Sequence, residues 1–151
     1  VVVAAGNENQ NVSNSSPANC SGVIAVAAVG PTGGRADYSN YGTLVDVAAP
    51  GGDTSGGSAN GIYSTLNAGT QGPGADSFAY YQGTSMATPH VSAVAALVWS
   101  YFPTCTGEQI RISLNNSALD LGNVGRDVKF GYGLVQAKSA YDRITALGCG
   151  N

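Results

Sequence analysis

Apolar residues cluster in short unbroken runs, set apart by polar, Gly-rich stretches. Residues 1–4 are all apolar and end at Gly6. A run without alternation suits a central parallel strand buried on both faces. Residues 23–29 read as a second such strand, and residues 44–48 as a third, closed by Pro50-Gly51. Residues 62–66 form a short fourth strand, and residues 78–82 alternate as a strand leading into Gly83. The best helix spans residues 85–102. It is apolar nearly all round, with Val91, Val94, Leu97, Val98 and Trp99, the pattern of a helix buried in a large core. Pro89 is expected in its first turn, where proline is tolerated.

Pro103-Thr104-Cys105 stops this helix, and Thr106 can cap a second one over residues 107–118 with Ile110 and Leu114 inward. Ala137, Ala140, Tyr141 and Ile144 recur at helical spacing in a last helix near residues 136–147. The stretches 8–19, 31–34, 37–42, 51–60, 67–76 and 122–129 read as loops, turns and surface insertion, rich in Asn, Ser or Gly. No internal repeat or linker divides the chain, so a single α/β unit over residues 1–151 is predicted.

Composition narrows the class. The chain carries a net charge of −3 with only 10% charged residues, so there is no basic patch and nucleic acid is not an expected partner. No apolar run reaches membrane-spanning length. With 22 glycines and many Ser, Asn and Tyr residues, the composition is of a kind common in secreted enzymes. The opening Val1-Val2-Val3-Ala4-Ala5 reads as a buried strand met in mid-fold, so a piece of a longer protein is expected. Cys20, Cys105 and Cys149 lack metal-type spacing. In an exported protein Cys105 and Cys149, which flank the C-terminal helical region, are the favoured pair, and Cys20 would bond outside this chain. The alternative is three buried thiols.

The candidate chemistry gathers at Gly83-Thr84-Ser85. A small flexible run delivers a hydroxyl residue to the start of a buried helix, where backbone N–H groups are unpaired and carry partial positive charge. A serine there can attack a carbonyl while its own N–H steadies the oxyanion. A serine at a helix start is otherwise most often a cap. His90 is the single histidine. Five residues along a helix is about 500° of rotation, roughly 140° away from Ser85, and about 7.5 Å along the axis. His90 is therefore expected to be a packed structural residue, and a complete Ser-His-acid triad cannot be built within the chain. Asn7, at the C-terminal end of the first strand, reads as a turn former or as an amide donor to an oxyanion.

Four blocks in this order resemble the subtilisin-like serine proteases: Val1 to Asn7, Tyr38-Ser39-Asn40-Tyr41-Gly42, Val45-Asp46-Val47-Ala48-Ala49-Pro50-Gly51, and Gly83-Thr84-Ser85-Met86-Ala87-Thr88-Pro89-His90-Val91. The last block is very specific; the others support it. The resemblance implies a three-layer fold with a mostly parallel central sheet flanked by helices, of which this chain is the C-terminal part. It implies a secreted endopeptidase acting on proteins or peptides, with Ser85 as nucleophile and Asn7 in the oxyanion hole, and no cofactor for catalysis. Ala4, Ala5 and Gly6 match one wall of the pocket for the side chain before the scissile bond, with Ser15 near its base. Thr84, Tyr81 and Gln82 fall beside the substrate path. The acid and base precede the serine in this family, so both belong to the N-terminal part of the same catalytic domain, upstream of Val1. Asp46 matches an acidic residue near a cation site made with carbonyls around Ala18 to Val23, suited to Ca²⁺ or a monovalent ion. Local pairing of Asp46 without an ion is the alternative. The segment between Asp53 and Ser77 exceeds that of compact members and has no assigned role.

Two other readings compete. Gly83-Thr84-Ser85-Met86-Ala87 nearly fits the G-x-S-x-G elbow of α/β-hydrolases, but that fold needs its acid and then its histidine after the serine, and only His90 follows. A non-catalytic fragment or pseudoenzyme, acting in binding or assembly, is the alternative from a different class. Retention of both Ser85 and Asn7 argues against a decayed site.

Overall fold

A computed structural model describes residues 1–149. Three parallel strands, β1 (Val2–Ala4), β2 (Ile24–Val29) and β3 (Val47–Pro50), make a sheet in the order β1-β2-β3. Val3 pairs with Ala25 and Val26 with Val47. Every residue of β2 is buried, as its lack of alternation requires of a strand covered on both faces. Ile24, Val26, Ala28, Val47 and Ala49 pack on one side against three helices. Val3, Ala25, Ala27, Val29 and Ala48 face the other side, against Val12, Ala18, Val45 and Phe130. All three α-helices therefore lie on one face of this sheet, and loop segments close the other.

The helices are α1 (Thr84–Tyr101), α2 (Gly107–Asn116) and α3 (Ala137–Leu147). The predicted all-round burial of α1 is not what the structure has. Thr84, Ala87, Val91 and Val98 form one buried stripe, while Leu97 is 52% exposed and Trp99 also faces outward. Only the side of α1 toward the sheet and the other helices is covered by this chain. Pro89 is also displaced from expectation: with α1 starting at Thr84, it lies in the second turn and denies the Ser85 carbonyl its helical donor. Side chains serve neighbouring carbonyls instead. Thr88 Oγ1 donates to Thr84 O, and His90 Nδ1 lies against Met86 O, both at 2.8 Å. The cap of α2 follows the sequence. Thr106 Oγ1 accepts from Gln109 N–H at 3.3 Å, and Gln109 Oε1 accepts from Thr106 N–H at 2.7 Å.

The fourth and fifth strands form, but away from the parallel sheet. β4 (Ile62–Asn67) and β5 (Asp76–Tyr81) pair with each other as an antiparallel hairpin. Its register puts Tyr63 opposite Tyr80 and Thr65 opposite Phe78; the Tyr63 ring stacks on Phe78 at 5.6 Å and meets Tyr80 tilted at 4.6 Å. The loop at its tip is closed by Asn67, whose Oδ1 accepts from Gly69 and Gly74 N–H groups. The stretch before the hairpin holds two short 3-10 turns, Thr54–Gly56 and Ser58–Asn60.

Cys105 and Cys149 are bonded, with Cα atoms 5.4 Å apart, and Cys20 is free and exposed within this chain. The bridge fastens the chain after α3 to the start of α2. Closing a loop across 44 residues restricts the unfolded chain by roughly 3–4 kcal/mol. Replacing Cys105 and Cys149 by alanine is expected to lower unfolding stability by about 2–4 kcal/mol, read from urea unfolding, with a lower midpoint and a steeper slope as the unfolded chain expands.

Candidate active site

The end of β1 and the start of α1 meet at Thr84. Thr84 is fully buried, and three hydrogen bonds converge on it. Gly6 N–H donates to Thr84 Oγ1 at 3.1 Å, and Asn7 Oδ1 accepts from Thr84 N–H and from Thr84 Oγ1, both at 2.9 Å. The Asn7 carbonyl oxygen is thus filled, while its Nδ2 amide has no acceptor among the described residues. Asn7 and Ser85 are both exposed. Ser85 N–H is one of the first N–H groups of α1, which have no acceptor within a helix. Asn7 Nδ2 and Ser85 N–H are thus two donors without an acceptor among the described residues, one on each side of Thr84. Gly83 N–H donates to Gly51 O at 2.9 Å, which fixes the entry to α1 against the end of β3.

Gly6 has to be glycine. It holds φ at +105°, and a Cβ there would stand 2.2 Å from Asn40 Nδ2. Ala5 is buried, and Ala4 and Gly6 are partly exposed. Ser15 is partly exposed and its Oγ accepts from Asn40 Nδ2 at 2.8 Å. Tyr81, at the end of β5, is exposed beside the entry to α1. Thr84 differs from its expected role beside substrate: it is enclosed and holds Asn7 in place. Gln82 Oε1 accepts from Thr54 N–H and Oγ1, tying the hairpin base to the 3-10 turns. His90 is engaged with Met86 O, in agreement with the rotation argument that separated it from Ser85.

Two features escaped sequence reasoning. Asn40, within a block noted only for its resemblance, is buried among the loops after β1. The single hydroxyl proton of Tyr38 is shared between Gly52 O at 2.7 Å and Gly51 O at 3.0 Å. Nothing in the local sequence of either marks these partners, because all lie on other segments.

The donor set at Asp46 does not fit the expected cation. Its Oδ1 accepts from Arg111 Nε and Nη2 at 3.2 and 2.6 Å, and its Oδ2 from Ala25 N–H at 2.9 Å. A guanidinium at that distance takes the charge a metal ion would share. Burial lowers the Arg111 pKa, but the hydrogen bond and charge of Asp46 outweigh it and hold the value above the ordinary one. Ala18 and Val23 pack with the loop-covered side of the sheet. No group of three or more His, Cys, Asp or Glu residues suited to a metal occurs among the described residues. Local pairing is therefore the reading that the residues support.

A family model described as the Subtilase family matches residues 1–133. An extracellular protease of Xanthomonas campestris is 54% identical over 119 residues, covering 78% of this chain and 19% of that protein. Subtilisin E of Bacillus subtilis is 41% identical over 143 residues, covering 93% of this chain and 33% of that protein. Among solved structures, a protease of Pseudoalteromonas arctica superposes with a TM-score of 0.86 at 45% identity, covering 95% of this chain and 42% of that one. The chain thus spans less than half the length of each of these relatives.

Burial, opposed by a backbone hydrogen bond at Gly83 and aided by the charge of Asp53, pushes the Tyr38 hydroxyl from 10.0 up to about 12. The folded state then keeps its proton where the unfolded state loses it. This contribution to stability is complete below pH 10 and is lost as pH rises toward about 12. Tyr38→Phe is expected to flatten the fall in urea midpoint over that interval relative to the unsubstituted protein.

Proposed function

The chain belongs to the subtilase family, and on that footing we propose that it is the nucleophile-bearing part of a serine endopeptidase. The observation that carries this reading is the clamp on Asn7. With Oδ1 held by Thr84, the amide Nδ2 is the end left to donate, next to Ser85. In the intact protein an upstream histidine, oriented by an upstream acid, takes the proton of Ser85 Oγ as that oxygen attacks the peptide carbonyl. Negative charge developing on the carbonyl oxygen is met by Asn7 Nδ2 and Ser85 N–H, already oriented before the reaction starts. The leaving amine takes the proton from the histidine, and water, activated by the same base, releases the acyl group from Ser85.

This chain by itself lacks the base. Its one histidine is turned to Met86 O, so the 151 residues alone are inactive. Substrates are proteins or peptides, and the partner that completes the site is the upstream part of the same domain. The names of the relatives support secretion, as does the disulfide, a bond that persists in oxidising surroundings. Cys20 is exposed, and its partner in this reading is a cysteine of the upstream part.

The full-length protein tests this directly. A peptidyl phosphonate is expected to label Ser85 in it and not in Ser85→Ala or in the isolated chain. Failure to label the full-length protein would remove the reading. Asn7→Leu is expected to keep labelling competence but to lower kcat by about 10²–10³, the cost of losing one such donor in a subtilisin rather than a value obtained from this chain.

A further inference from the structure

Asn40 has no access to solvent, and its side-chain amide is engaged by the chain that leaves β1, between Ala5 and Ser15. Oδ1 accepts from Glu8 N–H and Gln10 N–H, both at 3.0 Å. The two protons of Nδ2 are shared among three acceptors, Ala5 O at 2.9 Å and Glu8 Oε2 and Ser15 Oγ at 2.8 Å. The backbone N–H of Asn40 donates to Gly6 O at 3.0 Å. Asn7 is therefore braced through its neighbours on both sides. Its own N–H donates at 2.9 Å to the Glu8 Oε2 that Asn40 also holds. Thr84 fixes the Asn7 side chain, and Asn40 fixes the Asn7 backbone. Ser15, expected near the base of the pocket, hangs from the same nitrogen as Ala5 O. Asn40 is itself seated by Ser39, whose Oγ accepts from Ala28 N–H in β2 at 3.0 Å.

We propose that Asn40 is a positioning residue for peptide hydrolysis, which sets the distance of Asn7 from Ser85 and the separation of Ser15 from Ala4, Ala5 and Gly6. Oxyanion stabilisation and the size of side chain admitted before the scissile bond are then coupled through one buried amide. The inference rests on the endopeptidase reading above. The residue type follows from the partners. Two N–H groups need an oxygen with two lone pairs, while a carbonyl, a carboxylate and a hydroxyl oxygen share the two protons of an amide nitrogen. Aspartate would keep the first function, lose the second, and set a carboxylate against Glu8 at hydrogen-bond distance. Titratable neighbours on its own segment are Arg35, Asp37, Tyr38 and Tyr41; Glu8 meets it from the facing loop. Arg35 donates to Ser39 O and to Asn9 Oδ1, so its charge lies beside this web rather than within it.

The test uses the full-length protein, with phosphonate labelling as the count of competent Ser85 sites. Peptides differing only in the residue before the scissile bond (Ala, Leu or Phe) report the pocket. In Asn40→Asp at pH 8, kcat is expected to fall roughly 10–100-fold with KM changed far less, and the Leu-to-Phe preference to shift. Two adjacent carboxylates cannot both ionise cheaply, so the ratio of variant to unsubstituted kcat should rise about tenfold between pH 8 and pH 5.5. Adding Glu8→Gln to Asn40→Asp should remove that rise. A pH-independent ratio with unchanged side-chain preference, whatever the melting temperature, would overturn the proposal. Should Asn40→Asp not fold, Ser15→Ala and Glu8→Gln singly are expected to shift the preference in the same direction, and no shift in either would overturn it. An unsubstituted protein whose Ser85 does not label would instead defeat the endopeptidase reading, and is thereby told apart from a failure of the Asn40 inference.

Discussion

The set of hydrogen bonds between Thr84 and the Gly6-Asn7 turn is what the rest of the site depends on. It joins the C-terminal end of β1 to the N-terminal end of α1. Both ends present unpaired polar groups to one spot: a strand end turned by a glycine, and a helix start with free N–H groups. An asparagine alone at that spot could rotate its amide. Two donors from one buried threonine decide which end faces outward, at the modest cost of ordering a short side chain. The proposed role of Asn7 requires preorganisation of this kind.

The sheet beneath is what brings those ends together. β2 is rich in alanine and valine and lies between β1 and β3, so helices and loops approach its two faces closely. Ala28 leaves so little room above β2 that a Cβ on Gly51 would stand 2.4 Å from its methyl carbon. That close fit lets Gly51 O receive Gly83 N–H and lets Tyr38 close over the same corner. Large side chains at these points would move α1, and Ser85 with it, away from Asn7.

Asn40 and Asp46 show two ways in which this fold manages buried polarity. Asn40 is neutral and fully bonded, so it links loops without introducing charge. Asp46 is charged and is neutralised by Arg111 and a backbone N–H. An acidic residue that looks, in one dimension, like a metal ligand is in three dimensions one half of an ion pair. The partner is 65 positions away on α2, and no local pattern points to it.

Local order was legible wherever a short stretch decides it. The unbroken apolar runs gave β1 and β2 because burial on both faces leaves no room for alternation, whereas the third strand, expected over residues 44–48, lies at Val47–Pro50. Thr106 and Gln109 set the start of α2 because a capping box closes within four residues. The Gly83-Thr84-Ser85 entry to a helix, and the separation of His90 from Ser85, followed from helical geometry alone. The tertiary structure decided the rest. The fourth and fifth strands pair with each other because a hairpin closes locally while the parallel sheet needs partners supplied from afar. α1 buries one stripe because exposure depends on what covers a helix, not on its own composition. The orientation of Asn7 rests on a residue 77 positions away. A sequence states which groups can donate and accept; only the fold brings a particular donor within 3 Å of a particular acceptor.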